Sequence, residues 1–178
     1  MKAIVATVVL LLLAASSASA AKLPRQSPDI ALSPPGGGSL LLSSLKGKVV
    51  VMEFLFIRSQ HCLRVAQMLN SLQRELGPRG FQPVGVVFDP PDGAAGGQGI
   101  SAMVSYFKLS YPVAYASKDS VDTYLDRAPT EVLNIPQIVI IDRKGTIRAA
   151  SGGIGGNPML EDEGALRTLV DSLLKENN

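Results

Sequence analysis

The stretch from Val49 to Arg64, VVVMEFLFIRSQHCLR, constrains what this chain can fold into more than any other. It opens with three β-branched residues, Val49, Val50 and Val51, and stays apolar through Phe54, Leu55, Phe56 and Ile57 apart from one carboxyl, Glu53. A short apolar run bounded by a polar turn predicts a strand buried on both faces. Arg58, Ser59, Gln60 and His61 supply that turn, and the only cysteine of the chain, Cys62, follows it. Ser59 is suited to cap a helix, because its hydroxyl can accept from a free backbone N–H two or three residues on. Beyond it, Cys62, Val65, Ala66, Leu69, Leu72 and Leu76 recur at spacings of three and four, which makes one apolar helical stripe. The cysteine therefore sits at a strand-to-helix junction.

The rest of the chain repeats that alternation. Gly77-Pro78-Arg79-Gly80 ends the helix, and Phe81 to Phe88 reads as a second buried strand. Asp89 to Gly99, rich in Pro and Gly, reads as a loop. Ile100 to Leu109 suits a helix, Val113 to Ala116 a short strand, and Asp119 to Leu125 a short helix. Gln137 to Asp142 and Thr146 to Ala150 flank the turn Arg143-Lys144-Gly145 as an antiparallel hairpin. Gly152 to Pro158 is a Gly-rich loop. Glu161 to Lys175 carries Leu166, Leu169, Val170, Leu173 and Leu174 on one side of a last helix, with acidic residues at its start. Upstream, Ser27 to Leu32 can pair as an edge strand, Pro34 to Gly38 is a turn, and Leu40 to Leu45 fits strand or helix equally. The order β-α-β-α-β-α-β-β-α predicts an α/β sandwich on a mixed sheet: parallel crossovers, then one hairpin.

Composition narrows the function classes. Lys2, the apolar run Ala3 to Leu13 and the small residues Ala18-Ser19-Ala20 read as a secretory signal. The run is shorter than the ~20 apolar residues a membrane span needs. The expected organisation is residues 1–20 as signal peptide, 21–44 as N-terminal extension and 45–178 as the folded domain. The mature protein would be periplasmic or secreted, with no membrane anchor. A formal net charge of +2 with scattered charges gives no electrostatic case for nucleic acid. A single cysteine cannot form an internal disulfide. It leaves an inert buried thiol, a reactive thiol or an intermolecular disulfide through Cys62.

Four markers, in order, carry a resemblance. They are Leu45-Lys46-Gly47-Lys48-Val49-Val50-Val51, Ser59-Gln60-His61-Cys62, Ile135-Pro136 and Ile140-Ile141-Asp142-Arg143-Lys144-Gly145. With them the chain resembles the thioredoxin-like superfamily, in its exported redoxin branch of TlpA-like and AhpC/TSA proteins, over roughly Ser27 to Leu174. The resemblance implies a thioredoxin-like three-layer sandwich, a central mixed β-sheet flanked by helices. It implies a cis-proline at Pro136, which with Ile135 would form a peptide-binding edge beside Ser59 and Cys62. It also implies that Glu53 stands where thioredoxins keep a buried acid, which relays a proton behind the second cysteine.

The departures bear on function. The family's attacking cysteine is Ser59 here, and the tryptophan usually before it is Arg58. A serine hydroxyl forms no disulfide, so dithiol–disulfide exchange by this chain alone is excluded. Peroxiredoxins of the same superfamily carry Thr/Ser-x-x-Cys, which Ser59 and Cys62 match. By that resemblance Cys62 would attack peroxide and become a sulfenic acid, held by Ser59 and reduced by an external thiol. The peroxiredoxin proline seven residues earlier is Leu55, however, and the activating arginine would fall at Pro136.

Two functions follow as expectations. One is a thiol-dependent oxidoreductase or one-cysteine peroxidase acting through Cys62, with Ser59 and Glu53. The other is a non-catalytic domain that holds a peptide or partner protein at Ile135 and Pro136 by strand addition. Burial argues for an inert Cys62, while a helix N-terminus would lower its pKa. No cofactor is expected. Metal binding is not expected either, since adjacent His61 and Cys62 point about 100° apart on a helix; an exposed His61 is the simpler reading.

Overall fold

The structure, a computed structural model, describes residues 23–88, 97–152 and 156–176. The signal segment with its cleavage site, most of the Asp89 to Gly99 stretch and the middle of the Gly152 to Pro158 stretch lie outside the described residues.

The expected strand runs as β4, Val49–Leu55, with every residue buried. Among the described residues three short strands precede it: β1 (Arg25–Gln26), β2 (Ala31–Leu32) and β3 (Leu40–Leu41). Helix α1, Gln60–Leu76, begins where the chain leaves β4. Ser59 caps it, with backbone extended and its hydroxyl accepting the Cys62 N–H at 3.3 Å. No Gly or Pro interrupts the helix, and its stripe is buried as expected. Leu69 and Leu72 are fully hidden, each contributing roughly 1.5–3 kcal/mol of burial. A short 3-10 turn, Gly77–Arg79, then ends at Gly80, whose φ of 99° is left-handed. A Cβ there would also come 2.9 Å from the Arg143 guanidinium, so glycine serves both backbone and packing.

The chain continues through β5 (Phe81–Phe88), α2 (Gly97–Phe107), β6 (Val113–Ala116) and α3 (Lys118–Leu125). It closes with β7 (Gln137–Ile141), β8 (Thr146–Ala150) and α4 (Glu163–Lys175). The main sheet is ordered β1-β8-β7-β4-β5-β6. β4, β5 and β6 are parallel, β7 is antiparallel to β4, and β8 is antiparallel to β7. The expected mixed sheet, parallel crossovers followed by one hairpin, is the observed one.

Residues alternate between two cores, as the strand period of two requires. Val49, Val51 and Leu55 face the core built with α1, α2 and α4. Val50, Met52 and Phe54 face a second core with α3. The segment before β4 also joins that second core, burying Ile30, Leu32 and Leu42. The ambiguous Leu40 to Leu45 divides into β3, paired with β2, and a 3-10 turn, Leu42–Leu45. No helix among the described residues is long and apolar enough to cross a membrane.

Candidate functional site

β4 is the central strand, and Glu53 lies in its middle, opposite Gly85 of β5 and Ile138 of β7. By alternation its side chain shares the face of Val51 and Leu55, the face that α1 covers with Cys62. Glu53 is 0% exposed, and neither carboxylate oxygen has a hydrogen-bond partner among the described residues. Glu53 is thus neither at a sheet edge nor paired with a lysine.

An unpartnered buried carboxylate costs far more as an ion than as an acid. Burial therefore pushes the Glu53 pKa well above the usual carboxylate range, and the nearby Glu161 charge pushes it further. The neutral acid is the form this setting favours. Opposite Glu53, Gly85 leaves room for its neighbours: a Cβ at that position would crowd Val113 at 3.1 Å and Leu55 at 3.3 Å.

Cys62 is fully buried in the same core and is a free thiol. Burial raises its pKa, a hydrogen bond with Ser59 and a backbone hydrogen bond at Phe56 pull the other way, and the Glu53 charge raises it again. The net direction is up. The helix N-terminus, which favours a thiolate, is outweighed here by desolvation. The buried sulfur is not presented to a partner's cysteine, so the intermolecular disulfide considered from the sequence has no geometric support.

Ser59 stands half-buried at the turn in front of Cys62, its N–H bonded to the Phe56 carbonyl at 3.0 Å. The Ile135–Pro136 bond is cis. Ile135 is half-buried and packs against both cores, including the one that holds Cys62. The backbone–backbone hydrogen bonds among the described residues do not include Ile135, and Val132 nearby is 86% exposed.

His61 is half-exposed, as expected, but not isolated. Its Nε2 lies 2.6 Å from Glu161 Oε2, tying the start of α1 to the 3-10 turn Pro158–Glu161 before α4. No group of three metal-ligating side chains occurs among the described residues.

Two participants were not legible in the sequence. Tyr111 is buried, donates to the Ala66 carbonyl at 3.1 Å, and has its pKa raised by burial and then by Glu53. Glu161 carried a signal only as an acid near a helix start, which says nothing of its approach to Glu53.

Solved structures share this architecture. A thiol:disulfide interchange protein of the thioredoxin family from Chlorobium tepidum TLS superposes with a TM-score of 0.67 at 18% identity, covering 85% of this chain and 97% of the other. The thioredoxin domain of a thiol-disulfide oxidoreductase from Bacteroides vulgatus gives 0.63 at 21% identity, covering 83% and 96%. A thiol:disulfide interchange protein from Bacteroides sp. gives 0.65 at 20%, covering 85% and 92%. At such identities these likenesses establish the thioredoxin-like fold. No curated protein matches the chain. The sequence itself matches the AhpC/TSA family over residues 24–150, most of the described structure, and by that match the chain belongs to the AhpC/TSA family.

Proposed function

We propose that this protein is a non-catalytic thioredoxin-like domain that binds an extended peptide or partner protein at the Ile135–Pro136 edge. The observation that carries this reading is the state of Cys62: fully buried, with its pKa raised, behind a serine where exchange chemistry needs a second sulfur. The one-cysteine peroxidase reading needs an accessible thiolate, and Cys62 offers neither access nor a lowered pKa. What stays open to a partner is the chain before β7, where Val132 is exposed and Ile135 makes no backbone–backbone hydrogen bond among the described residues. Unpaired backbone beside a sheet is what strand addition uses. In this reading Ser59 and Cys62 shape the floor of the edge. The partner meets the protein outside the cytoplasm, after cleavage near Ala20, a point that rests on the character of residues 1–20.

Two measurements test it. Hydrogen peroxide with a sulfenic-acid trap, read by intact mass, is expected to leave native Cys62 unmodified and to label it after denaturation. Ready trapping in the native protein would overturn the non-catalytic reading. Titration with a capped peptide of alternating Val and Thr is expected to shift amide resonances of 133–137 and 59–63. A spectrum unchanged at millimolar peptide would sink the edge as a binding surface.

A further inference from the structure

At the far end of the sheet from Cys62 lies a cleft of about 370 Å³, between the segment before β4 and the β7–β8 turn. It is reached from the start of β4, at Val50, whereas Glu53 and Leu55 point toward the candidate site. At roughly 3.3 Å per residue, the two ends of this strand are roughly 20 Å apart. The cleft has an apolar floor of Leu42, Leu45, Val50 and Ile141, and a charged rim of Asp29, Asp142, Lys46 and Lys48.

The rim carries equal numbers of acids and bases, but their hydrogen-bonding capacity is unequal. Asp29 accepts from Ile30 N–H at 3.1 Å, Ser43 N–H at 2.8 Å and the Ser43 hydroxyl at 2.6 Å. Asp142 accepts from Lys144 N–H and Thr146 N–H, both at 2.9 Å, and from Arg148 at 3.1 Å. Both carboxylates are thus engaged internally. The ammonium groups are engaged less fully. Lys48 gives one of its three donors to Gln82, at 3.2 Å. Lys46 is near enough to help lower the Asp29 pKa but makes no hydrogen bond among the described residues. The cleft therefore offers a ligand an apolar floor and ammonium donors with spare capacity, beside two carboxylates that already accept hydrogen bonds within the protein.

We propose that this cleft binds a small amphipathic carboxylate, its apolar body on Leu42, Val50 and Ile141 and its carboxylate against Lys46 and Lys48. Its size is that of an ordinary small-ligand site, and the pairing of apolar walls with a few polar groups is what fixes a ligand's orientation. The site is separate from the Ile135–Pro136 edge and independent of the function proposed there.

Octanoate is the probe and octanol its neutral comparator, with binding followed by amide chemical shifts. Octanoate is expected to shift residues 45–50 and 141–145, leaving 59–63 unmoved, and octanol to bind about three- to tenfold more weakly. Lys46→Gln with Lys48→Gln is expected to bring octanoate down to the octanol level. Both lysines are exposed, and Lys46→Gln alone is the fallback if the double variant does not fold. Equal binding of octanol and octanoate, octanoate affinity unchanged in the lysine variant, or no shift at millimolar octanoate would each overturn the proposal.

Discussion

Glu53 and Asp122 are both carboxylates hidden from solvent, 0% and 3% exposed, and their surroundings drive them in opposite directions. Burial pushes the Asp122 pKa up, but hydrogen bonds from Lys118 and Arg127, with their charges, outweigh it and hold it below the usual range. Lys118 reaches one Asp122 oxygen at 2.5 Å, and Arg127, itself 8% exposed in its side chain, takes the other. Glu53 has no such partner, and burial, with the Glu161 charge adding to it, decides its state. Burial of an acid is therefore not by itself a sign of function. A buried ion pair between α3 and the segment after it is a structural feature, while a buried acid left without partners beside the only cysteine is what a site would leave behind.

The largest expected effect comes from breaking the paired acid. Asp122→Ala leaves Arg127 buried without its counter-ion, and removing one partner of a buried pair costs roughly 3–5 kcal/mol. Urea unfolding at neutral pH measures it. A loss below about 1 kcal/mol would mean that the pair behaves as an exposed one. The pH dependence has a definite sign. A depressed folded-state pKa gives stability that is present above the unfolded value, ~3.9, and is lost as pH falls through the folded value.

Glu53 must slope the other way. Above its unfolded pKa, ~4.3, the unfolded chain has released the proton and the folded protein still holds it, so stability falls as pH rises. Glu53→Gln keeps the shape and removes the titration. Its stability relative to the parent should grow with pH by up to about 1.4 kcal/mol per unit, until the folded-state pKa is passed. Unfolding curves of both proteins from pH 5 to 8 read this directly. A difference independent of pH would mean that Glu53 ionises in the folded protein as freely as in the unfolded one, and the contrast with Asp122 would collapse.

Much of the frame was legible because burial writes itself into sequence period. β4, β5 and the stripe of α1 appear as apolar runs and three-four spacing, and their ends as Ser59 and Gly77. Leu40 to Leu45 was not, because its residues suit either state and the choice is made by pairing with Ala31–Leu32, eight to ten residues away. At the site, Glu53 stood out as a polar residue in an apolar strand. Its lack of partners did not, since that depends on neighbours such as Gly85 and Ile138, which only the fold brings beside it. Cys62 lay under two opposed rules, helix N-terminus and apolar stripe, and the sequence holds no measure of which is stronger. Tyr111 and Glu161 approach Glu53 from elements whose patterns report only their own packing.

Cys62 falls between the two acids, with one neutral side-chain partner where Glu53 has none and Asp122 has two charged ones. Burial raises the thiol pKa as it does for Glu53, yet the Ser59 hydroxyl offsets part of the rise, as Lys118 and Arg127 do more fully for Asp122. The same hydroxyl caps α1. Ser59→Ala removes both interactions at once, and the two consequences are read separately. Loss of the cap should cost about 1 kcal/mol in urea unfolding. Loss of the hydrogen bond should move the Cys62 pKa further up, seen as thiolate absorbance appearing at higher pH than in the parent. Destabilisation with an unmoved thiol would mean that Ser59 is a cap and nothing more. The partner series would then reduce to the two carboxylates, and Ser59 would lose its claim to a place in the site.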